Sequence, residues 1–168
     1  MRIGIVGTND RALAIGRFLT GCGHAVTFGD PHGQDRADRA ATLTGTRSEL
    51  PYSQAMKSDL LFFAVPRTEV DRAVTAVGGS RADAVIVDVV DGKDRSAASS
   101  GAEALARKLD TNRVVRALIN IPQSGTNVPV CGDDENAKKL VEQALQACGC
   151  LVTDRGPLVN AAEIEPPA

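Results

Sequence analysis

The feature that most constrains the fold of this chain is a short apolar segment that runs directly into a glycine turn and then into a helix. Residues 2–6 read Arg-Ile-Gly-Ile-Val, and the next six are Gly-Thr-Asn-Asp-Arg-Ala. This order follows the G-x-G-x-x-G/A dinucleotide-binding pattern, except that Asn9 replaces the second glycine. Gly7 and Ala12 keep the tight turn and the close packing of helix on strand. The segment therefore predicts a strand-turn-helix unit whose nucleotide site carries an extra side chain.

Apolar runs alternate with helical patterns along the rest of the chain. The predicted strands cover residues 2–6, 25–29, 60–65, 84–89, 113–118, 128–131 and 151–153, and the predicted helices 11–20, 34–43, 52–57, 69–77, 96–109 and 134–147. Continuous apolar strands separated by helices are typical of a parallel sheet covered on both faces. We predict a doubly wound α/β domain of Rossmann type with a mostly parallel sheet over residues 1–160, followed by a tail over 161–168.

Composition excludes several classes of partner. Nineteen basic and 21 acidic residues give a net charge of -2, and no cluster of Lys or Arg is present. We therefore expect neither nucleic acid nor a membrane surface as a partner. The chain has no apolar run of the roughly 18 residues that span a bilayer, and it enters a strand at its first residues. We expect a cytoplasmic protein.

The four cysteines, Cys22, Cys131, Cys148 and Cys150, include no C-x-x-C pair. Only two histidines could supplement them as metal ligands, so we expect no metal site. We expect all four cysteines to be reduced, small apolar residues near helix ends and strands.

The carboxyl end of the first predicted strand is the first candidate binding site, because ligands of doubly wound sheets lie at the carboxyl ends of the strands. Backbone amides that open the following helix favour an anion such as a pyrophosphate. The candidate residues are Gly7, Thr8, Asn9, Asp10 and Arg11. Asn9 and Asp10 could instead serve only as helix caps.

The next strand ends supply further candidates. Asp30 lies 23 residues after Gly7, close to the spacing of the acidic residue that binds the adenosine ribose. Its carboxylate favours NAD over NADP, unless Arg36 or Arg39 neutralises it, and it is also compatible with a simple Asp-Pro turn. Val65 and Pro66 would lie beside the cofactor, although Pro66 could act only as the first residue of a helix.

A last candidate surface combines residues 88–91 with residues 117–122, which include Ile119 and Asn120. These segments could form an apolar wall with one amide facing the reacting ring.

With these residues assembled, the chain resembles the 8-hydroxy-5-deazaflavin:NADP oxidoreductases along nearly its whole length. The most specific shared segments are Val-Pro-Val-Cys-Gly-Asp-Asp at 128–134 and Gly-Pro-Leu-x-Asn at 156–160. Weaker agreement covers residues 1–7, 23–26, 63–66 and 117–122. The resemblance implies hydride transfer between a nicotinamide and a deazaflavin.

The family's residue roles transfer only to matching positions. The resemblance places Thr8 to Arg11 at the pyrophosphate, Val65 and Pro66 beside the nicotinamide, and residues 119–121 at the hydride-transfer surface. Such transfer depends on the alignment of two rings, so no catalytic side chain is expected. The family's Ser-Arg pair for a 2'-phosphate reads Asp30-Pro31 here, which makes NAD at least as plausible as NADP.

The resemblance implies a helical end beyond the position of Asn160 that helps to enclose the substrate and to build a dimer, and we expect this chain to lack most of it. A homodimer is compatible with the resemblance. The leading hypothesis is an NAD(P)-dependent oxidoreductase that acts on a deazaflavin or another flat small-molecule acceptor. The alternative is a non-catalytic nucleotide- or ligand-binding module that kept the sheet. An imine, enoyl or dehydro substrate is also open.

Overall fold

The computed structural model describes residues 1–48, 57–78, 84–90, 100–117 and 123–164. The strands of these residues form one sheet. Within these ranges the strands are β1 (Arg2–Val6), β2 (Ala25–Gly29), β3 (Arg47–Ser48), β4 (Leu60–Phe63), β5 (Val85–Asp88), β6 (Val114–Ala117), β7 (Asn127–Gly132) and β8 (Leu151–Asp154). Their order in the sheet is β3-β2-β1-β4-β5-β6-β7-β8. Among these described pairs, only β6 and β7 are antiparallel. The predicted mostly parallel sheet is confirmed.

Helices cover both faces of the sheet. They are α1 (Asp10–Gly21), α2 (Gln34–Thr44), α3 (Val70–Val77), α4 (Gly101–Leu109), α5 (Glu135–Gln146) and α6 (Ala161–Ile164). Helices α1, α2 and α5 pack against one apolar cluster, and α3, α4 and α6 pack against another on the opposite face. This three-layer arrangement confirms the doubly wound α/β fold. In the described residues, no helix has both the length and the apolar character needed to cross a membrane.

One predicted helix begins later in the structure, and another lies largely outside the described residues. Helix α4 begins at Gly101 because Ser100 caps it: Ser100 Oγ accepts a hydrogen bond from the N–H of Glu103, and Glu103 Oε2 accepts one from the N–H of Ser100. This capping box is readable as Ser-x-x-Glu in the sequence, and the prediction of a start at residue 96 overlooked it. Residues 96–99 and most of the predicted helix at 52–57 lie outside the described residues.

The predicted tail at 161–168 begins too early. Residues Ala161 and Ile164 form part of α6 and are buried in the cluster that includes α4. They lie three residues apart, on the same face of the helical turn, which explains their joint burial. The packed domain therefore extends to at least Ile164.

The expectation that all four cysteines are reduced is wrong for two of them. Cys22 and Cys148 form a disulfide, with their Cα atoms 5.1 Å apart. They occupy equivalent places just beyond α1 and α5, which pack on the same face of the sheet. Because 126 residues separate them in sequence, no spacing motif indicates the pairing. Cys131 and Cys150 are free and buried.

We expect two reactive thiols per chain after denaturation without reductant, and four after reduction. In the folded protein Cys131 and Cys150 should resist alkylation at mildly alkaline pH, because burial raises the pKa of both thiols, that of Cys131 to about 11. Thiol titration with a chromogenic disulfide checks both counts. As a control, Cys22→Ser should expose three thiols without reductant. Four thiols in the unreduced, denatured protein would contradict the disulfide.

Candidate functional site

The turn after β1 brings the ends of β1 and β4 into close contact. Gly7 has a φ of +114°, and its N–H donates to the carbonyl oxygen of Gly29 at 2.8 Å. A Cβ atom added at Gly7 would lie 2.6 Å from the carbonyl oxygen of Ala64. Because this neighbour is backbone, it cannot rotate away as the tip of a side chain can. Gly7 is therefore needed both for the turn and for the approach of β4.

Asn9 is the N-cap of α1. Its backbone is extended, with a ψ of 173°, and its Oδ1 accepts a hydrogen bond from the N–H of Ala12 at 2.9 Å. One of the unpaired donors at the helix start is thus satisfied by the protein itself. The capping role considered for Asn9 is therefore observed, whereas Asp10 is the first residue of the helix and not its cap.

Arg11 connects the first turn of α1 with the end of β5. Its Nη1 donates to the carbonyl oxygen of Val89 at 2.9 Å. Asp10, the first residue of the helix, is exposed. The positive end of the α1 dipole therefore carries one acidic and one basic residue, and the basic one is held towards β5.

Asp30 is 7% exposed and holds two turns together. Its Oδ2 accepts a hydrogen bond from Thr8 Oγ1 at 2.6 Å, and its Oδ1 accepts one from the N–H of His32 at 2.8 Å. The first contact connects the end of β2 with the turn after β1. The turn-forming role considered for Asp30 is therefore observed.

His32 lies between a carboxylate and a guanidinium, an arrangement that the sequence prediction missed. Arg72 Nη1 lies 2.8 Å from His32 Nδ1, and Glu69 Oε2 lies 2.8 Å from His32 Nε2. Arginine can only donate, so Nδ1 accepts and Nε2 carries the proton that it donates to Glu69. These hydrogen bonds of His32 connect the loop after β2 with the start of α3.

These elements enclose a crevice of about 190 Å³ at the carboxyl ends of β1, β2 and β4. The strand order reverses between β1 and β4, which is where doubly wound sheets bind ligands. Six of the predicted site residues line it: Gly7, Thr8, Asn9, Asp30, Val65 and Pro66. Asp10 and Arg11 lie next to it in α1, and Ile119 and Asn120 lie outside the described residues. In the described part of the chain, no three metal-ligating side chains are grouped to hold a metal ion.

Charged groups also meet at the ends of β5 and β6. Arg116 Nη1 donates to Asp88 Oδ2 at 3.1 Å and to the carbonyl oxygen of Val90 at 2.9 Å. Asp88 Oδ1 accepts from the N–H of Val90 at 3.0 Å. Both charged residues are fully buried. The sequence prediction included Asp88 in a candidate wall but treated Arg116 only as a strand residue. A cation inside an apolar strand was the signal that could have found it.

The two most specific motifs of the sequence interlock with each other. Asp133 Oδ1 accepts a hydrogen bond from the N–H of Leu158 at 2.9 Å, and the N–H of Gly132 donates to the carbonyl oxygen of Gly156 at 3.0 Å. These contacts fasten the segment after β8 to the end of β7. The observed contacts of both motifs are therefore structural.

With the crevice described, a comparison of the sequence with protein-family models identifies its family. Residues 2–92 match the family described as NADP oxidoreductase, coenzyme F420-dependent. This range is more than half of the chain. The protein is a member of this F420-dependent NADP oxidoreductase family. The matched range contains the turn at Gly7, Asp30, the pair Val65 and Pro66, and the strand end at Asp88.

Solved structures show the same fold for this family member. A protein of Arthrobacter sp. FB24 assigned as an F420-dependent NADP reductase superposes with a TM-score of 0.79 at 21% identity, over 97% of this chain and 88% of that one. The hypothetical protein SMa0349 of Sinorhizobium meliloti superposes with a TM-score of 0.76 at 20% identity, over 96% of this chain and 88% of that one. At these identities the likeness concerns the fold.

A curated relative is longer. Metalloreductase STEAP3 of Rattus norvegicus is 27% identical over 178 aligned residues, which cover 98% of this chain and 36% of that protein. The family member described here therefore spans about a third of the length of this relative.

Proposed function

We propose that the protein is an NAD(P)-dependent oxidoreductase that transfers a hydride between a nicotinamide and a deazaflavin or another flat small-molecule acceptor. The observation that carries the proposal is the crevice at the reversal of strand order, where Gly7, Asp30 and Pro66 meet. Membership of a family of NADP oxidoreductases supports it. The proposal includes the homodimer with which the family resemblance is compatible.

The residues of the crevice fit a dinucleotide. The turn at Gly7 and the start of α1 would hold the pyrophosphate, since backbone amides and the helix dipole favour an anion there. Asp30 would bind the ribose hydroxyls of the adenosine half. Val65 and Pro66 would line the nicotinamide half, and Ile119 and Asn120 are proposed to shape the hydride-transfer surface.

The chemistry needs little from side chains. When bound, a dihydronicotinamide supplies a hydride and is oxidised, while the acceptor is reduced and takes its proton from water. The protein contributes binding and orientation. Val65 is buried and Pro66 has no N–H, so the side chains of this wall are apolar and offer no donor to the acceptor.

Charge in the crevice favours NAD over NADP. Asp30 is fixed by Thr8 and by the backbone of His32, so its carboxylate cannot easily turn away from a 2'-phosphate. Glu69 adds a second carboxylate to the lining. Arg36 also lines the crevice, and Arg72 Nε lies 3.9 Å from Glu69 Oε2. The preference therefore depends mainly on Asp30, for which the described residues show two hydrogen bonds and no ion pair. A ribose with free hydroxyls therefore fits better than a phosphorylated one.

Calorimetric titration tests both the function and the cofactor. We expect NADH to bind about tenfold or more tightly than NADPH, because a 2'-phosphate would meet the carboxylate of Asp30. The double substitution Asp30→Ser with Pro31→Arg should move the preference towards NADPH. Asp71→Ser, which removes an exposed carboxylate from α3, is the matched control and should leave the preference unchanged.

The outcomes of this titration distinguish the proposed oxidoreductase from a non-catalytic binding module. If neither nucleotide binds at millimolar concentration, the protein is not an NAD(P)-dependent enzyme, and the non-catalytic module becomes the better interpretation. If both bind but the double variant keeps the original preference, Asp30 is not at the ribose. The identity of the acceptor is tested by adding 8-hydroxy-5-deazariboflavin to the protein with NADH. Oxidation of NADH is then measured as a loss of NADH absorbance.

A further inference from the structure

A hydrogen bond between two side chains joins the opposite walls of the crevice. His32 lies in the loop after β2, Glu69 lies in the turn after β4, and both line the crevice. His32 Nε2 donates to Glu69 Oε2 at 2.8 Å, and the two side chains are 25% and 30% exposed. Because β1 lies between β2 and β4, the contact bridges two strand spacings of about 4.8 Å each. We call this hydrogen bond the latch.

The latch lies at the boundary between two cavities. The crevice measures about 190 Å³, whereas pockets for ligands of drug size measure about 300–1,000 Å³. A second cavity of about 400 Å³, lined by residues 32–36 and Arg39, lies beside it. The two cavities share His32 and Arg36 as lining residues. A dinucleotide therefore does not fit the crevice alone, and a movement of the His32 side chain would join it to the larger space.

The contacts of His32 allow its ring to turn while its backbone stays in place. The N–H of His32 donates to Asp30 Oδ1 at 2.8 Å, which anchors the main chain. Arg72 Nη1 donates to His32 Nδ1 at 2.8 Å, and Arg72 Nε lies 3.9 Å from Glu69 Oε2. When the ring turns away, Glu69 and Arg72 remain paired with each other. Opening the latch therefore leaves the carboxylate with a cation beside it.

We propose that the latch controls entry to the adenosine half of the nucleotide site: it is closed in the free protein, and the dinucleotide binds only while His32 is turned away from Glu69. This inference rests on the proposed function. With the pyrophosphate at Gly7 and the ribose at Asp30, the adenine base would lie beyond Asp30, where the two latch residues meet. Arg72 is a positioning residue, because it holds the ring with Nε2 towards Glu69.

A latch of this kind acts on association and not on dissociation. If only the open form binds, the observed affinity falls by the fraction of molecules that are open. Once the nucleotide occupies the space, the latch cannot close, so its strength does not affect release. A side chain that contacts the nucleotide acts in the opposite way, because its loss raises the dissociation rate constant.

His32→Leu tests the latch by stopped-flow fluorescence of NADH, or of NADPH if that nucleotide binds more tightly. We expect the association rate constant to rise about fivefold, as for the loss of one hydrogen bond of ordinary net strength, and the dissociation rate constant to stay within about twofold. Glu69 keeps its charge in this variant, so relief of repulsion cannot explain the gain. The matched control is His24→Leu, at the amino end of β2, where Nε2 lies 3.1 Å from the carbonyl oxygen of Ala144. It should change neither rate constant by more than about twofold.

Two substitutions of Glu69 test the latch from its other side and serve if His32→Leu does not fold. Both Glu69→Gln and Glu69→Leu remove the charge, but only glutamine keeps an oxygen that can accept from His32 Nε2. We expect association to be about threefold faster in Glu69→Leu than in Glu69→Gln.

The latch can also be observed directly, because the chain contains only two histidines. In the free protein the imidazole ¹⁵N signals of His32 should show the tautomer protonated at Nε2. Saturation with the nucleotide should shift these signals and leave those of His24 unchanged.

The outcomes separate failure of the latch from failure of the proposed function. Unchanged association in folded His32→Leu, a raised dissociation rate constant in its place, equal association in the two Glu69 variants, or unshifted His32 signals would overturn the latch and leave the proposed function standing. Failure of the unsubstituted protein to bind either NADH or NADPH would overturn the proposed function, and the latch with it.

Discussion

Replacement of Gly7 by alanine is expected to lower the free energy of unfolding by about 3–5 kcal/mol, because two costs add at one position. The φ of +114° is one that residues with a Cβ atom rarely adopt. The new methyl group would also lie 2.6 Å from the carbonyl oxygen of Ala64, which belongs to the backbone at the end of β4. Relief of that contact requires the ends of β1 and β4 to separate.

Gly33→Ala is the matched control for this substitution. Gly33 has a φ of +128°, but a Cβ atom there would meet no atom within 4 Å. Its substitution should cost only the backbone strain, about 1–3 kcal/mol. Urea unfolding of both variants measures the difference. If the two lose equal stability, the contact with Ala64 adds nothing and Gly7 serves only the turn.

The separation of β1 and β4 in Gly7→Ala would also widen the crevice at the ends of these strands. We therefore expect Gly7→Ala molecules that still fold to lose nucleotide binding. Backbone strain in the turn, without the contact, would leave Ala64 in place and would not have this effect.

Much of the fold could be predicted because its signals are local. The apolar run at 2–6 and the run beginning at Leu60 are strands buried on both faces, and such strands show as continuous apolar stretches. Strand β3 could not be predicted in this way, since it consists of Arg47 and Ser48. These two polar residues pair with β2 because α2, which precedes them, ends beside the edge of the sheet.

The candidate site was predicted where its residues follow a strand directly. Gly7, Asn9 and Asp30 each come within three residues of a strand end, and the crevice brings them together. The sequence spacing of Gly7 and Asp30 was sufficient to predict that they lie close together. One helix, α1, and one strand, β2, fill the interval between them and return the chain to the same edge of the sheet.

What the sequence did not reveal depends on partners distant along the chain. His32 meets Arg72 across 40 residues, and Cys22 meets Cys148 across 126. No periodicity carries such information, because each contact follows from the packing of two complete elements. Burial also decides the role of a residue: Arg116 is a cation within an apolar run of the sequence, and only its place inside the sheet shows that it is paired with Asp88.

Asp88→Ala is expected to lower the free energy of unfolding by about 3–5 kcal/mol, because it leaves the cation of Arg116 buried without its partner. The N–H of Val90 loses its acceptor in the same substitution. Asp71→Ala removes an exposed carboxylate that pairs with Lys108 and should cost less than about 1 kcal/mol, which makes it the control for loss of an ion pair as such.

The paired substitution Asp88→Leu with Arg116→Met should recover most of the lost stability in urea unfolding, since two apolar groups replace two charged groups of similar size. If the paired variant is as unstable as Asp88→Ala, the cost arises from the turn at Val90 and not from the unpaired cation. If it regains stability, the ion pair is dispensable for the fold, and the cost of Asp88→Ala is that of the unpaired cation.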